Sequence, residues 1–267
     1  MGMAGDIVKC IGRQVKLFRE RAGLTQAQLG EAIGYSEEQV SSVEQGRRVP
    51  QPEFLDAADE ALEAFGVLRA AKEEVANVQL PAFFRGAARL EAQATEFHAY
   101  DSQVVNGLLQ TQEYARVIYR MRRPVLDEKT VEQRVSARLA RQELFAHRPA
   151  PAMSFVTEET VLRRPLGGEE VLRGELEHLL SIGQMRNVEL QVMPTNRRDH
   201  AGLGGPFALL EPKGRQLVAY SEVQGRGTLV TDRKAVRELE QRYGIIRAQA
   251  LTPQESLDFI EKLRGET

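Results

Sequence analysis

The sequence has no tryptophan and a single cysteine among its 267 residues. One thiol, Cys10, can form neither an internal disulfide nor a zinc site by itself. It reads as a small, buried or half-buried thiol. The four histidines, His98, His147, His178 and His200, are scattered with no H-x-x-x-H pair, so their spacing offers no metal site. No apolar run approaches the roughly 18–20 residues that span a bilayer. The first ten residues lack the basic stretch leading into an apolar one that marks a secretory signal. A cytoplasmic protein with no membrane partner is expected. Net charge is small too: 36 Lys and Arg face 38 Asp and Glu, −2 overall. That excludes a surface built for unspecific nucleic-acid binding, so any DNA contact must be local.

Apolar residues make up 42% and charged residues 28%, ordinary for a globular chain. At roughly 150 residues per domain the length allows a little under two domains. The first 65 residues read as short helices punctuated by glycine. Ile11, Val15 and Phe18 predict a helix over Ile11–Arg21. Thr25 with Gln28, and Ser36 with Gln39, are two capping boxes. The first helix they open stops at Gly34, a left-handed cap, and the second at Gly46. Pro50 and Pro52 precede a fourth helix, Glu53–Ala64. Residues 66–80 look helical, and Leu80-Pro81 marks the domain boundary. The expected domains are 1–75 and 76–267.

The second part is expected to be helical over 83–148 and mixed α and β over 151–267. Ala87, Leu90, Ala94 and Phe97 have helical spacing, Thr111 caps a helix start, and Thr130–Phe145 is a longer helix. Met153–Val156, Val188–Met193, Phe207–Leu210, Leu217–Tyr220 and Thr228–Val230 are strand candidates. Glu169–Leu180, Asp232–Gln249 and a helix capped by Thr252 complete the chain. The fold class is thus mixed: an all-α N-terminal domain of four to five helices, then a helical segment and an α+β or α/β domain.

Two short helices joined by a tight turn fit a helix-turn-helix, although a generic bundle also has capped helices. Leu24, Thr25-Gln26, Leu29, Ile33-Gly34, Ser36, Val40-Ser41, Val43-Glu44 and Gly46 together resemble the Cro/CI-type helix-turn-helix family over about 55 residues. Gly30 departs from it where alanine is usual, at up to about 1 kcal/mol of helix stability. Asn106 to Thr111 with Glu113 to Arg116 resembles the GLLQT-x-x-YAR signature of WhiJ-like actinobacterial regulators. Leu162 to Pro165, Gln191 to Pro194 and Gly205 to Phe207 fit further along. Such proteins are described as antitoxin-like transcription regulators whose genes often lie beside one for a small partner protein.

The resemblance implies that the third helix enters the major groove. Its reading residues would be Glu37, Glu38 and Ser42, with Gln39 and Ser41 nearby. Thr25, Gln26, Ser36 and Gln45 would meet phosphates, as would Arg47 and Arg48 just beyond. Two acids stand in the reading positions. A carboxylate can accept from cytosine N4, or it can merely complement its own helix N-terminus. Residues 1–75 hold 9 basic and 13 acidic side chains, so a homodimer on a two-half-site, double-stranded operator is the expected working form. Arg134, Arg138 and Arg141 share one helix face. They form either a solvated stripe or a docking face for a partner protein or for DNA flanks.

Two further features invite chemistry. Asp199 to Pro206 is a glycine-rich loop with a histidine, and Glu158-Glu159 follows a strand. No motif joins them, and neither an enzyme nor a cofactor is expected. The leading function is a DNA-binding transcription regulator whose operator affinity is modulated through the C-terminal domain by a small partner protein or ligand. The alternatives are an antitoxin-like protein-binding module that has lost DNA binding, and a small-ligand sensor in the sheet domain.

Overall fold

The computed structural model describes residues 3–72, 74, 75, 85–147 and 149–267. The chain forms two compact units, Met1–Arg85 and Gly86–Thr267. The expected boundary at Leu80-Pro81, and the helical reading of 76–80, lie outside the described residues.

The first unit is helical: α1 (Met3–Arg21), α2 (Gln26–Ile33), α3 (Glu37–Glu44), α4 (Pro52–Ala61) and α5 (Val67–Ala70). α1 starts eight residues before the expected Ile11, and Val8 extends the buried stripe of Ile11 and Val15 by one turn. These side chains join Leu29, Val40, Val43, Phe54, Leu55 and Leu62 in one core. Asp59, buried on α4, accepts the backbone N–H groups of Gly66, Leu68 and Arg69 at 2.9–3.0 Å. Burial pushes its carboxyl up, but those bonds outweigh burial and hold it below the usual carboxylate value.

The second unit is α+β. A six-stranded sheet has the order β3-β2-β1-β4-β5-β6. Its strands are β1 (Ala94–Asp101), β2 (Ala152–Glu158), β3 (Val188–Met193), β4 (Phe207–Pro212), β5 (Val218–Val223) and β6 (Arg226–Val230). β1, β2 and β3 are parallel, while β4, β5 and β6 continue antiparallel from the other edge of β1. The two parallel connections need crossovers. The first runs through α7 (Gln112–Arg120) and α8 (Glu128–Ala140), after α6 (Arg85–Glu91) has preceded the sheet. The second runs through α9 (Glu159–Leu162) and α10 (Glu169–Ile182). α11 (Arg233–Gln249) and α12 (Pro253–Glu266) follow.

Met153 to Thr157 are all buried, as expected of a strand covered on both faces. Tyr100, Val156, Phe207 and Leu209 pack with Val236, Tyr243 and Ile246 of α11. Phe97 and Phe155 lie on the opposite face, with ring centroids 5.5 Å apart.

Two expectations are overturned. Cys10, expected to be buried or half-buried, is exposed. Ala94 and Phe97 do not continue the helix of Ala87 and Leu90; they begin β1, the strand at the centre of the sheet. Their i, i+3 spacing imitates a helix, but Ala99 and Tyr100 are buried as well. Pairing on both sides, with β2 and β4, decides the backbone. The other strand candidates lie on observed strands, except that Leu217 falls one residue before β5.

Candidate nucleic-acid interface

The turn between α2 and α3 is built from local chemistry. Thr25 Oγ1 accepts the Gln28 N–H at 3.2 Å and Gln28 Oε1 accepts the Thr25 N–H at 2.8 Å. Ser36 and Gln39 repeat the exchange at 3.2 and 2.8 Å. Gly34 ends α2 at φ +76°, a conformation that costs glycine little. Tyr35 then places its ring edge-on to Phe54, with centroids 5.0 Å apart, and anchors the turn on α4.

α3 is pressed close to its neighbours. A Cβ on Gly12 of α1 would lie 2.2 Å from the Val43 carbonyl oxygen. A Cβ on Gly30 would lie 2.5 Å from the Tyr35 carbonyl oxygen. Gly30 is therefore more than a weak helix former: its missing side chain lets α2 and the start of α3 touch backbone to backbone.

Val40, Val43 and Glu44 turn inward on α3. Thr25, Ser36, Glu37, Glu38, Gln45, Arg47 and Arg48 are exposed, and Gln26, Gln39, Ser41 and Ser42 are half-buried. Several of these side chains already have partners. Gln39 uses its carbonyl oxygen on the Ser36 amide, which leaves its Nε2 hydrogens to donate. Gln45 Nε2 donates to Ser41 Oγ at 3.0 Å. Gln26 Nε2 donates to Glu44 Oε2 at 2.7 Å, so one of its two amide hydrogens is engaged. Glu44 also receives Arg19 Nε at 2.5 Å and Nη2 at 3.0 Å. The Glu44 hydrogen bond raises the Arg19 pKa above the ordinary guanidinium value, against the opposing effect of burial. Sequence reasoning missed Arg19. Its signal was a basic residue four positions after Val15, on the apolar face of α1.

In the second unit Arg134, Arg138 and Arg141 are half-buried. Arg141 forks onto Glu91 at 2.7 and 2.8 Å. Arg138 Nη1 donates to Gln110 Oε1, and its guanidinium lies 4.5 Å from the Tyr119 ring centroid. Gln110 belongs to the 106–116 signature, whose Leu108, Leu109, Gln110, Tyr114 and Ala115 are buried. Thr111 caps α7 through the Tyr114 N–H, and Asn106 gives its amide to both oxygens of Asp101 at 3.2 and 3.0 Å. Burial pushes the Asp101 carboxyl up to about 7, against the Asn106 bond.

The structure also joins the two features that the sequence left apart. His200 Nε2 lies 2.8 Å from Glu158 Oε1, and Tyr100 Oη donates to the same oxygen at 2.8 Å. His200 Nδ1 accepts the Gly202 N–H at 2.9 Å, so Nε2 carries the proton shared with Glu158. This network ties the Asp199–Pro206 loop to the carboxyl ends of β1 and β2. No local signal could have revealed it, because strand order alone brings Tyr100 beside Glu158. Among the described residues no group of three or more His, Cys, Asp or Glu is placed to hold a metal ion, and no helix is long and apolar enough to cross a membrane.

A helix-turn-helix of this geometry defines a DNA-binding regulator. A family model described as a helix-turn-helix domain matches residues 11–71. The chain belongs to the family defined by the domain of unknown function DUF5753, whose model matches residues 84–262. Comparison with curated proteins and with solved structures found no match.

Proposed function

We propose that the chain is a sequence-specific transcription regulator of the Cro/CI type, similar to WhiJ-like regulators. It acts as a homodimer on a two-half-site operator. In this reading residues 1–75 bind DNA and residues 76–267 regulate that binding. The observation that carries it is the pair of capped helices, with the first turn of α3 exposed at Glu37 and Glu38 and its apolar side locked into the core. Glu37, Glu38, Gln39, Ser41 and Ser42 face base edges. Thr25, Ser36, Gln45, Arg47 and Arg48 meet phosphates. Gln26 does so through its backbone N–H at the start of α2 and the remaining Nε2 hydrogen.

A small partner protein or ligand, bound by the C-terminal domain, shifts operator affinity by favouring one dimer geometry over another. The role is regulatory rather than enzymatic. The test is selection of random duplex DNA by the purified protein. One enriched palindromic sequence, bound with a steep fall of log affinity against log salt, is expected. No enrichment would overturn the reading in favour of a protein-binding, antitoxin-like module.

A further inference from the structure

The two edges of the sheet are finished differently. On β3 the Val192 N–H donates to Ser256 Oγ at 2.9 Å, and the Val192 carbonyl accepts the Leu251 N–H at 2.9 Å. The approach to α12 and its first turn thus cover that edge, one of the ways in which sheets avoid unwanted pairing. β6 forms the other edge and pairs only with β5 among the described residues. It has neither proline nor bulge to blunt it.

The hairpin fixes which groups β6 turns outward. Gln224 and Gly225 both have positive φ, +51° and +72°, so a two-residue turn of the I′ kind joins Val223 to Arg226. Such a loop closes on a hydrogen-bonded pair, and the pairs then alternate. Arg226, Thr228 and Val230 therefore bond to β5, opposite Val223, Ser221 and Ala219. Gly227 and Leu229 turn their N–H and C=O groups away from β5, with no backbone partner among the described residues. Leu229 is also 42% exposed, so the open edge carries an apolar side chain.

This edge is complementary to itself. Two copies of β6 laid antiparallel, with their Leu229 residues opposite one another, set Gly227 against Thr231 and Thr228 against Val230. About six backbone hydrogen bonds form, and each Arg226 faces Asp232 of the partner subunit. Opposite charges in direct register stabilise a strand pair. Arg226 is exposed and makes no ion pair among the described residues. Asp232 is exposed as well, and its backbone is still extended at φ −66° and ψ 122°. It uses Oδ1 on the Ala235 N–H at 2.9 Å, which leaves Oδ2 to accept. A register centred on Thr228 would oppose Arg226 to Val230 and pair no charges.

We infer that β6 is the edge through which two copies of this chain join, antiparallel and centred on Leu229, with Arg226 of each on Asp232 of the partner subunit and one sheet continuous through both. The inference rests on the reading of the chain as a homodimer and names the surface that joins the copies. It does not depend on DNA binding, and its test uses no DNA.

The experiment is sedimentation equilibrium of the full-length protein over a range of concentrations. A monomer–dimer equilibrium is expected. Leu229→Pro removes an outward N–H and no bond to β5, so it should weaken the dimer about tenfold or more while the hairpin stays formed. Arg226→Asp sets two acids against each other at both ends of the pairing and should weaken it by about as much. Because proline can disturb the strand itself, the charge variants carry the test. The double change Arg226→Asp with Asp232→Arg should recover most of the loss, which a merely structural role for either residue would not produce. A dimer that withstands Leu229→Pro or Arg226→Asp, or a double variant no stronger than the single change, would overturn the inference and leave the homodimer standing. A protein that stays monomeric at every concentration would overturn both.

Discussion

Arg19 and Glu44 form a two-pronged ion pair between α1 and α3, 8% and 5% exposed, with Gln26 of α2 bonded to the same carboxylate. Three helices thus meet on one buried charge. Removing a single partner from a buried pair leaves the other uncompensated, which costs about 3 kcal/mol or more. Arg19→Met is expected to lower stability by about that amount in urea denaturation followed by circular dichroism. The double change Arg19→Met with Glu44→Leu should recover much of the loss. A single variant as stable as the unmodified protein would mean that the pair contributes nothing to the position of α3.

Gly30→Ala sets two opposed effects against each other. Helix propensity favours alanine by about 1 kcal/mol. The new Cβ, however, meets a backbone oxygen at 2.5 Å rather than a movable side-chain end. Forcing that contact costs about 1–3 kcal/mol, so the net effect should be destabilising. A rise in melting temperature on Gly30→Ala would show that the turn opens at little cost.

The contrast between these residues and those of the second unit shows what the sequence can reveal. The caps at Thr25, Ser36 and Thr252 are legible because each capping side chain and its partner stand three positions apart, and all three form. Gly34 is legible for the same local reason. β1 is not. Its first apolar positions suit a helix, and its strand character comes from partners more than fifty residues away. Arg19 with Glu44 and Tyr100 with Glu158 and His200 are likewise pairings across the fold. The residue types were visible as charged or aromatic side chains, but their partners depend on helix packing and strand order.

Glu175 should give stability a pH dependence with a definite sign. It is fully buried, and one oxygen accepts the Thr111 N–H at 2.8 Å while the other finds no donor among the described residues. Burial raises its carboxyl from 4.5 to about 7, against the Thr111 bond. Between those values the folded protein keeps a proton that the unfolded chain releases. The contribution is complete below the ordinary value and is lost as pH rises to about 7, on the order of 2 kcal/mol. Asp101 adds a slope of the same sign, so the comparison must be with Glu175→Gln. The variant should lose less stability than the unmodified protein between pH 4.5 and 7. Parallel pH profiles for the two would show that Glu175 is ionised throughout.

The acids at the head of α3 separate two kinds of contact. In the proposed complex Arg47 and Arg48 meet phosphates, which carry no sequence information. Arg47→Ala and Arg48→Ala should weaken all duplexes alike and reduce the salt slope by about 1 each. Glu37 and Glu38 differ, because a carboxylate in the groove is repelled by phosphate whatever the sequence. If one of them accepts from cytosine N4, its change to Gln should relax preference at one base pair by about 1–3 kcal/mol. If both only complement their helix N-terminus, Glu37→Gln and Glu38→Gln should tighten every duplex without changing the selected sequence. Binding-site selection with each variant, at two salt concentrations, distinguishes the outcomes. The reading role is lost if neither variant changes the preferred base at any position. In the proposed dimer the first unit would then hold its operator through backbone contacts and subunit pairing, with its acids lowering affinity for every duplex alike.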